Sequence, residues 1–198
     1  MTKEKKGISI KSRRSLEGPN VHAHFPVIEA KVDLRDHVDH ASDDDIAENL
    51  VDLYPEIKKH KCSGSHEGYF VERLKRGTYP AHIIEHLAIA VQNMVGSSVS
   101  FGKARRADGS VYDVIFEYKI KEVAVKALDL AVETMNGLFD GSLDHDKIKE
   151  GIEKIKDIAY QKKLGPSTKE IISQAKKKYI PSKTVHSDYS FFRLGWRI

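Results

Sequence analysis

The sequence predicts an α+β domain, in which a mainly antiparallel sheet packs with helices and is followed by a C-terminal helix and tail. Strand-like and helix-like patterns succeed one another in the order β-α-α-β-β-α-α. The pair Asp108-Gly109 lies between two extended runs, a strong signal for an antiparallel hairpin. Hydrophobic residues make up 40% and charged residues 31% of the 198 residues, which is typical of a globular protein.

The first strand and the first helix follow from patterns in the N-terminal quarter. Residues 1–20 are polar and basic, and we expect a lead-in or an edge segment there. Partial alternation of apolar side chains predicts a strand over residues 25–34. Ser42 and the acidic run 43–45 indicate a helix start, because carboxylates are favoured near a helix N-terminus. Apolar side chains then follow at helical spacing: Ile46, Leu50, Leu53 and Tyr54.

Two further helices are expected before the hairpin. A loop of mostly small residues at 62–68 precedes a helical segment over 69–76, which Gly77 ends. Pro80 lies in the first turn of a clearer helix, where proline is tolerated, and Gly96 closes that helix. Its apolar stripe consists of Ile83, Leu87, Val91 and Met94.

The rest of the chain reads as hairpin, helices and tail. The hairpin strands are residues 98–105 and 111–120, and amphipathic helices are predicted over 123–138 and 145–162. A composition break at Gly165-Pro166 separates a main domain, residues 1–163, from a linker helix and tail, residues 164–198. The tail is apolar and should dock on another surface; its large side chains are Phe191, Phe192, Leu194 and Trp196.

Composition and charge exclude several classes of protein. The net charge of +4 is too small to indicate a nucleic-acid partner. No apolar run approaches the roughly 20 residues of a membrane-spanning helix, and the charged N-terminus lacks the apolar stretch of a secretion signal. Cys62 is the one cysteine, which excludes a disulfide framework and leads us to expect a reducing cytoplasm.

The pentapeptide at residues 82–86, His-Ile-Ile-Glu-His, carries the chemistry. On a helix, His82, Glu85 and His86 share one face. Two imidazoles one turn apart are able to bind one zinc ion, and a carboxylate beside them is placed to act as a catalytic base. This is the H-x-x-E-H arrangement of inverted zinc peptidases. The alternative is a hydrogen-bonded, solvated patch without metal.

A catalytic zinc site needs a third protein ligand, and Glu117 is our first choice. It lies on the second hairpin strand, where a carboxylate among apolar neighbours is costly to bury without a partner. The reserves are His60, His66, Glu29 and Glu133. Cys62 is interpreted as a buried or incidental thiol, and the His37/His40 pair as a solvated turn.

A basic run lies on the first hairpin strand. It includes Lys103 and Arg105, and Arg73 could extend it. The run lacks the spacing of a phosphate loop, so it is either an ordinary exposed strand end or an anion-binding patch.

Beyond the pentapeptide, the chain resembles the N-terminal domain of cyanophycin synthetase over nearly its whole length and in the same order. The matching stretches are residues 18–20, 25–27, 32–34, 62–63, 68–74, 77–93, 101–105, 116–118 and 165–168. One departure is Ala104, where the family usually has threonine in a Gly-Lys-Thr-Arg run.

The resemblance implies a function. Cyanophycin synthetases build a poly-aspartate backbone that carries arginine on its side chains, using an ATP-grasp and a Mur-ligase-like domain. Their N-terminal domain is a polymer-binding module, and in some members it holds a zinc peptidase-like site that cuts polymer into primers. By this resemblance His82 and His86 are zinc ligands and Glu85 is the base. Lys103, Arg105 and Arg73 are expected to hold the polymer's free carboxylates.

The chain as given ends where the family leads into the ATP-grasp domain. We therefore expect no ligase activity, and either a fragment of a larger synthetase or a stand-alone relative. The rival hypothesis is a non-catalytic module that tethers polymer or mediates oligomerisation; the oligomeric state stays open.

Overall fold

A computed structural model describes residues 7–39, 41–62, 66–186 and 191–195. By its internal contacts the chain divides into two compact units, residues 1–156 and 157–198. The chemistry predicted from the sequence lies in the first unit.

The first unit is built on a four-stranded antiparallel sheet with the order β1-β2-β4-β3. The strands are β1 (Ser9–Leu16), β2 (Val27–Asp33), β3 (Gly102–Asp108) and β4 (Val111–Glu117). Strands β3 and β4 form the predicted hairpin around Asp108 and Gly109, with Gly109 at a positive φ of 52°. Residues 1–20 are predicted to be a lead-in or an edge segment. Within them, β1 pairs with β2 and forms one edge of the sheet.

Helices account for most of the remaining chain. They are α1 (Asp44–Leu53), α2 (Tyr69–Arg76), α3 (Pro80–Met94), α4 (Lys121–Asp140), α5 (His145–Gln161) and α6 (Pro166–Lys177). Asp43 caps α1, since its carboxylate accepts the Ile46 N–H at 2.9 Å. The predicted α+β fold class is therefore confirmed.

Helix α3 lies at the centre of the unit. It contacts β3 and β4 on one side, α4 on another, and a 3-10 helix over Pro55–Lys59. Every residue from Pro80 to Gln92 is buried, so α3 is a core helix and its burial extends beyond the predicted apolar stripe. Any polar side chain on its first three turns must therefore find its partners inside the protein.

Two local predictions differ from the structure. His37 was expected in a solvated turn, but it is 3% exposed and stacks on Phe139, with ring centroids 4.5 Å apart and planes at 9°. Its predicted companion His40 lies outside the described residues. Helix α4 begins at Lys121, two residues before the predicted start, since the polar first turn continues the helix that the apolar pattern defines.

The second unit contains α6 and a hairpin of β5 (Ser182–His186) and β6 (Phe191–Leu194). The sequence pattern indicated an apolar tail there but no pairing. Phe191 is 60% exposed, and Trp196 lies outside the described residues. Across the described ranges, the helices are all too short or too polar to cross a bilayer.

Candidate metal centre

Helix α3 presents His82, Glu85 and His86 toward the interior. Their exposures are 8%, 4% and 6%. Buried ionisable groups at these positions contradict the solvated patch, which was the alternative to a metal site. Burying three polar side chains in a core helix is costly unless each has a partner inside the protein.

Cys62 completes the group. One ligand atom from each of Cys62, His82 and His86 lies within 4.8 Å of the others. Cys62 follows the 3-10 helix and is 4% exposed, with its Sγ 3.4 Å from Nε2 of His82. The sequence predicts a buried or incidental thiol; the structure shows that it is buried and lies beside both histidines.

The two imidazoles are held from behind by polar partners. Thr78 Oγ1 lies 2.8 Å from Nδ1 of His82, and Nδ1 of His60 lies 2.9 Å from Nδ1 of His86. Thr78 is itself fixed, because its N–H donates to Oγ of Ser42 at 2.9 Å. Each ring is therefore anchored through Nδ1, which leaves Nε2 for another partner.

Aromatic rings pack against both imidazoles. Phe70 of α2 stacks on His86, with centroids 3.7 Å apart and planes at 15°. Tyr79 stacks on His82 at 5.6 Å, and its hydroxyl donates to the Ala104 carbonyl of β3. These contacts restrict how the two imidazoles can turn.

Burial shifts the pKa of each ionisable group toward its neutral form. It raises the pKa of Glu85 to about 8 and lowers the pKa of His82 to about 4, with a smaller contribution from the charge of Arg73. The pKa of His86 falls well below its usual value, through burial and then through the charges of His82, His60 and Arg73. Without a bound cation, the site therefore favours neutral histidines and a protonated Glu85.

The Glu85 carboxyl lies against the backbone of β3. A Cβ added at Gly102 would lie 2.5 Å from Cδ of Glu85 and nearer still to Oε1. Oε1 is 4.0 Å from Nε2 of His86. Within the described residues, no hydrogen bond to this carboxyl is found. A buried carboxyl without hydrogen bonds is costly, and a bound cation nearby would offset that cost.

Glu117 is not brought to this group. Gly102 and Phe116 are register partners that face α3, and successive strand residues alternate in direction, so Glu117 points to the other face of the sheet. Its carboxylate contacts Nζ of Lys119 and accepts the Ser100 N–H at 3.2 Å. The third side chain beside His82 and His86 in the structure is Cys62 and not Glu117.

The basic residues predicted to bind substrate lie on two different surfaces, one on the sheet and one on α2. Lys103 and Arg105 lie on the same sheet face as Glu117, and Arg105 pairs with Asp113 at 3.3 Å. Arg73 of α2 lies on the side of the histidines and lines a surface pocket of about 200 Å³ with Tyr69, Arg76 and Gly77. Among the residues that the structure describes, no carboxylate pairs with Arg73, so its charge is available to a ligand.

The donor set fits zinc. Zinc binds thiolate and imidazole in tetrahedral sites, and three protein ligands leave the fourth position for water or substrate in catalytic centres. A Zn²⁺ ion with a Cys62 thiolate and a Glu85 carboxylate would carry no net charge, which suits a buried site. Thr78 would act as the outer partner that orients His82 in such a centre.

Comparisons with known proteins agree on one family. A model described as the cyanophycin synthase-like N-terminal domain matches residues 28–140. The proteins named cyanophycin synthetase from Geminocystis herdmanii and Crocosphaera subtropica are 33% and 32% identical, over 180 and 173 residues. These matches cover 88% and 84% of the chain, but only 21% and 20% of each relative. The chain thus spans about one fifth of the length of the curated relatives it matches.

Proposed function

The chain belongs to the cyanophycin synthase-like N-terminal domain family, and on that premise we propose that it binds an arginine–aspartate polymer and cuts its backbone with a zinc ion. Cys62, His82 and His86 would hold the ion, and Glu85 would serve as the base. The observation that carries this proposal is the buried group of these four side chains on and beside α3.

The proposed reaction is hydrolysis of an amide bond. A bound zinc ion would lower the pKa of water toward about 7 and polarise the carbonyl that is attacked. Glu85 would take a proton from the attacking water and deliver it to the leaving amine, so that the carboxyl ends the cycle as it began. A nearby cation favours the ionised carboxylate, which offsets the effect of burial on the pKa of Glu85.

Arg73 is proposed to hold a carboxylate of the polymer. Its guanidinium lines the pocket on the side of the histidines and has no counter-charge within the described part of the chain. Guanidinium groups bind carboxylates through paired hydrogen bonds. A polymer with free carboxylates would thus be positioned at Arg73 while the backbone lies near Glu85.

The opposite sheet face supports binding of polymer outside the cleavage site. Asp113 lies between Lys31 of β2 and Arg105 of β3, with the Lys31 ammonium 2.7 Å from its Oδ1. Glu29 similarly contacts Arg14 and His22. Charges of both signs alternate across this face, an arrangement complementary to a polymer that itself carries both signs. This feature favours the second candidate function, a non-catalytic module that tethers polymer.

The proposed cellular location and protein partners follow from the Cys62 ligand and from the relatives. A Cys62 ligand must remain a reduced thiolate, which is consistent with the reducing cytoplasm that the sequence leads us to expect. The ATP-grasp and ligase domains of a synthetase are the proposed protein partners, since the relatives are cyanophycin synthetases several times longer than the matched region.

The test combines metal analysis with a cleavage assay. Protein purified without an affinity tag is assayed for zinc and incubated with the insoluble polymer, and new amino groups are counted. We expect about one zinc per chain, cleavage by the wild type, and loss of about 10²–10⁴ in rate for Glu85→Gln. Glu48→Gln, an exposed glutamate on α1, is the matched control. Polymer that co-sediments with the protein but is never cut would favour the tethering module and contradict the peptidase.

A further inference from the structure

His60 is a buried residue that the proposed chemistry does not use. It follows the 3-10 helix over Pro55–Lys59 and is 8% exposed. Its Nδ1 lies 2.9 Å from Nδ1 of His86, and the ring centroids are 5.2 Å apart. The sequence offers His60 as an alternative third ligand, whereas the structure places its Nδ1 beside Nδ1 of His86.

The contact between the two rings restricts their tautomers. A hydrogen bond between two ring nitrogens needs one donor and one acceptor, so a single proton lies between the Nδ1 atoms. Whichever ring donates, Nδ1 of His86 is occupied, and its metal ligand atom must be Nε2. For a neutral His86 to have a lone pair on Nε2, Nδ1 must carry the proton. If His86 binds the metal, it is therefore the donor, and His60 accepts through Nδ1.

The same arrangement is present at the other histidine. Nδ1 of His82 lies 2.8 Å from Oγ1 of Thr78, and its Nε2 lies 3.4 Å from Sγ of Cys62. A hydroxyl is able to accept a ring N–H, so Thr78 is a suitable acceptor for the same tautomer at His82. Both imidazoles then direct Nε2 toward the group formed with Cys62.

We propose that His60 is a positioning residue, which accepts the Nδ1–H of His86 and so holds that ring with Nε2 ready for the metal. The inference rests on the proposed function, because it gives His60 its effect through the metal site. Nε2 of His60 is buried and has no hydrogen-bond partner in the described structure. A neutral His60 that accepts at Nδ1 must carry its proton on this Nε2. Its tautomer is therefore set by His86 and not by a partner of its own.

Binding of Co²⁺, which takes the same ligands as zinc and absorbs visible light, tests the proposal without an activity readout. His60→Leu keeps an apolar side chain beside Phe70 but removes the acceptor. His60→Asn keeps a carbonyl oxygen near the position of Nδ1. Loss of an outer partner typically costs 10–100-fold in metal affinity. We therefore expect His60→Leu to weaken Co²⁺ binding by about 10–100-fold, and His60→Asn to bind close to the wild type.

The outcomes separate this inference from the proposed function. A wild type that binds no Co²⁺ would overturn the metal site and, with it, the role of His60. If the wild type binds Co²⁺ and His60→Leu binds it equally well, only the role of His60 is overturned. Equal weakening in both variants would also overturn it, because packing and not the acceptor would then be responsible.

Ring nitrogen NMR of the metal-free wild type gives a second reading that needs no variant to fold. Long-range ¹H–¹⁵N correlations distinguish the two neutral tautomers of each histidine. We expect the proton of His86 on Nδ1 and that of His60 on Nε2. The reverse assignment, with His60 donating to His86, would overturn the proposal.

Discussion

The carboxyl of Glu85 occupies the space that a side chain at Gly102 would fill. A Cβ at position 102 would lie 2.5 Å from Cδ of Glu85, so the strand backbone and the helix side chain meet only because residue 102 is glycine. The contact joins β3 to the centre of α3, where Oε1 of Glu85 lies 4.0 Å from Nε2 of His86.

Gly102→Ala should therefore displace Glu85 while leaving the metal ligands in place. We expect polymer cleavage to fall at least tenfold, since a misplaced base loses part of the ~10²–10⁴ that general acid–base catalysis supplies. Zinc content should stay unchanged. Gly165→Ala is the matched control, because a Cβ there meets no atom within 4 Å. Normal cleavage by Gly102→Ala would show that the position of Glu85 does not matter.

Arg73→Gln should weaken substrate binding more than it slows the chemistry. Arg73 lines the pocket beside the histidines, and a charge-assisted hydrogen bond to a carboxylate contributes about 1.5–3 kcal/mol. We expect KM for the polymer to rise at least tenfold with little change in kcat, as measured by initial rates. Lys75→Gln, an exposed cation on the same helix, should leave both constants unchanged. A wild-type KM in Arg73→Gln would rule out its proposed contact.

Asp113 should make the stability of the sheet depend on pH in the acid range. The hydrogen bond from Lys31, together with the nearby Arg105, holds the pKa of its carboxyl below the usual value. Because the folded-state pKa is lowered, the stabilisation is present above the unfolded-state pKa of about 3.9 and is lost as pH falls below it. Exposed cations limit the effect, so we expect Asp113→Asn to cost about 0.5–1 kcal/mol at pH 7.

Urea unfolding at pH 7 and below pH 4 measures this effect. The difference between wild type and Asp113→Asn should shrink as the pH falls, whereas the exposed Asp108→Asn control should differ little at either pH. A difference that stays constant across that range would refute the ionic origin.

The helices and the main hairpin could be predicted because their signals are local. Gly77, Pro80 and the Asp108-Gly109 turn mark boundaries through backbone preferences that need no tertiary contact. The hairpin of β5 and β6 was not predicted, since its two strands lack a clear alternation of apolar and polar side chains.

The candidate site was predictable only in part, for the same reason. Three residues of one helix share a face by geometry, so His82, Glu85 and His86 followed from spacing. Cys62 lies 20 residues before His82 and reaches it through the packing of the 3-10 helix and α2, which no periodicity encodes. Alternation placed Glu117 on the face of Asp113, but only the structure shows that α3 covers the other face.

Zinc-edge X-ray absorption on the zinc-loaded wild type tests the metal centre most directly. The arrangement of Cys62, His82 and His86 predicts one sulfur at about 2.3 Å, with the remaining ligands nitrogen or oxygen at about 2.0–2.1 Å. A spectrum with nitrogen and oxygen alone would contradict Cys62 as a ligand. A protein that retains no zinc would contradict the metal centre itself.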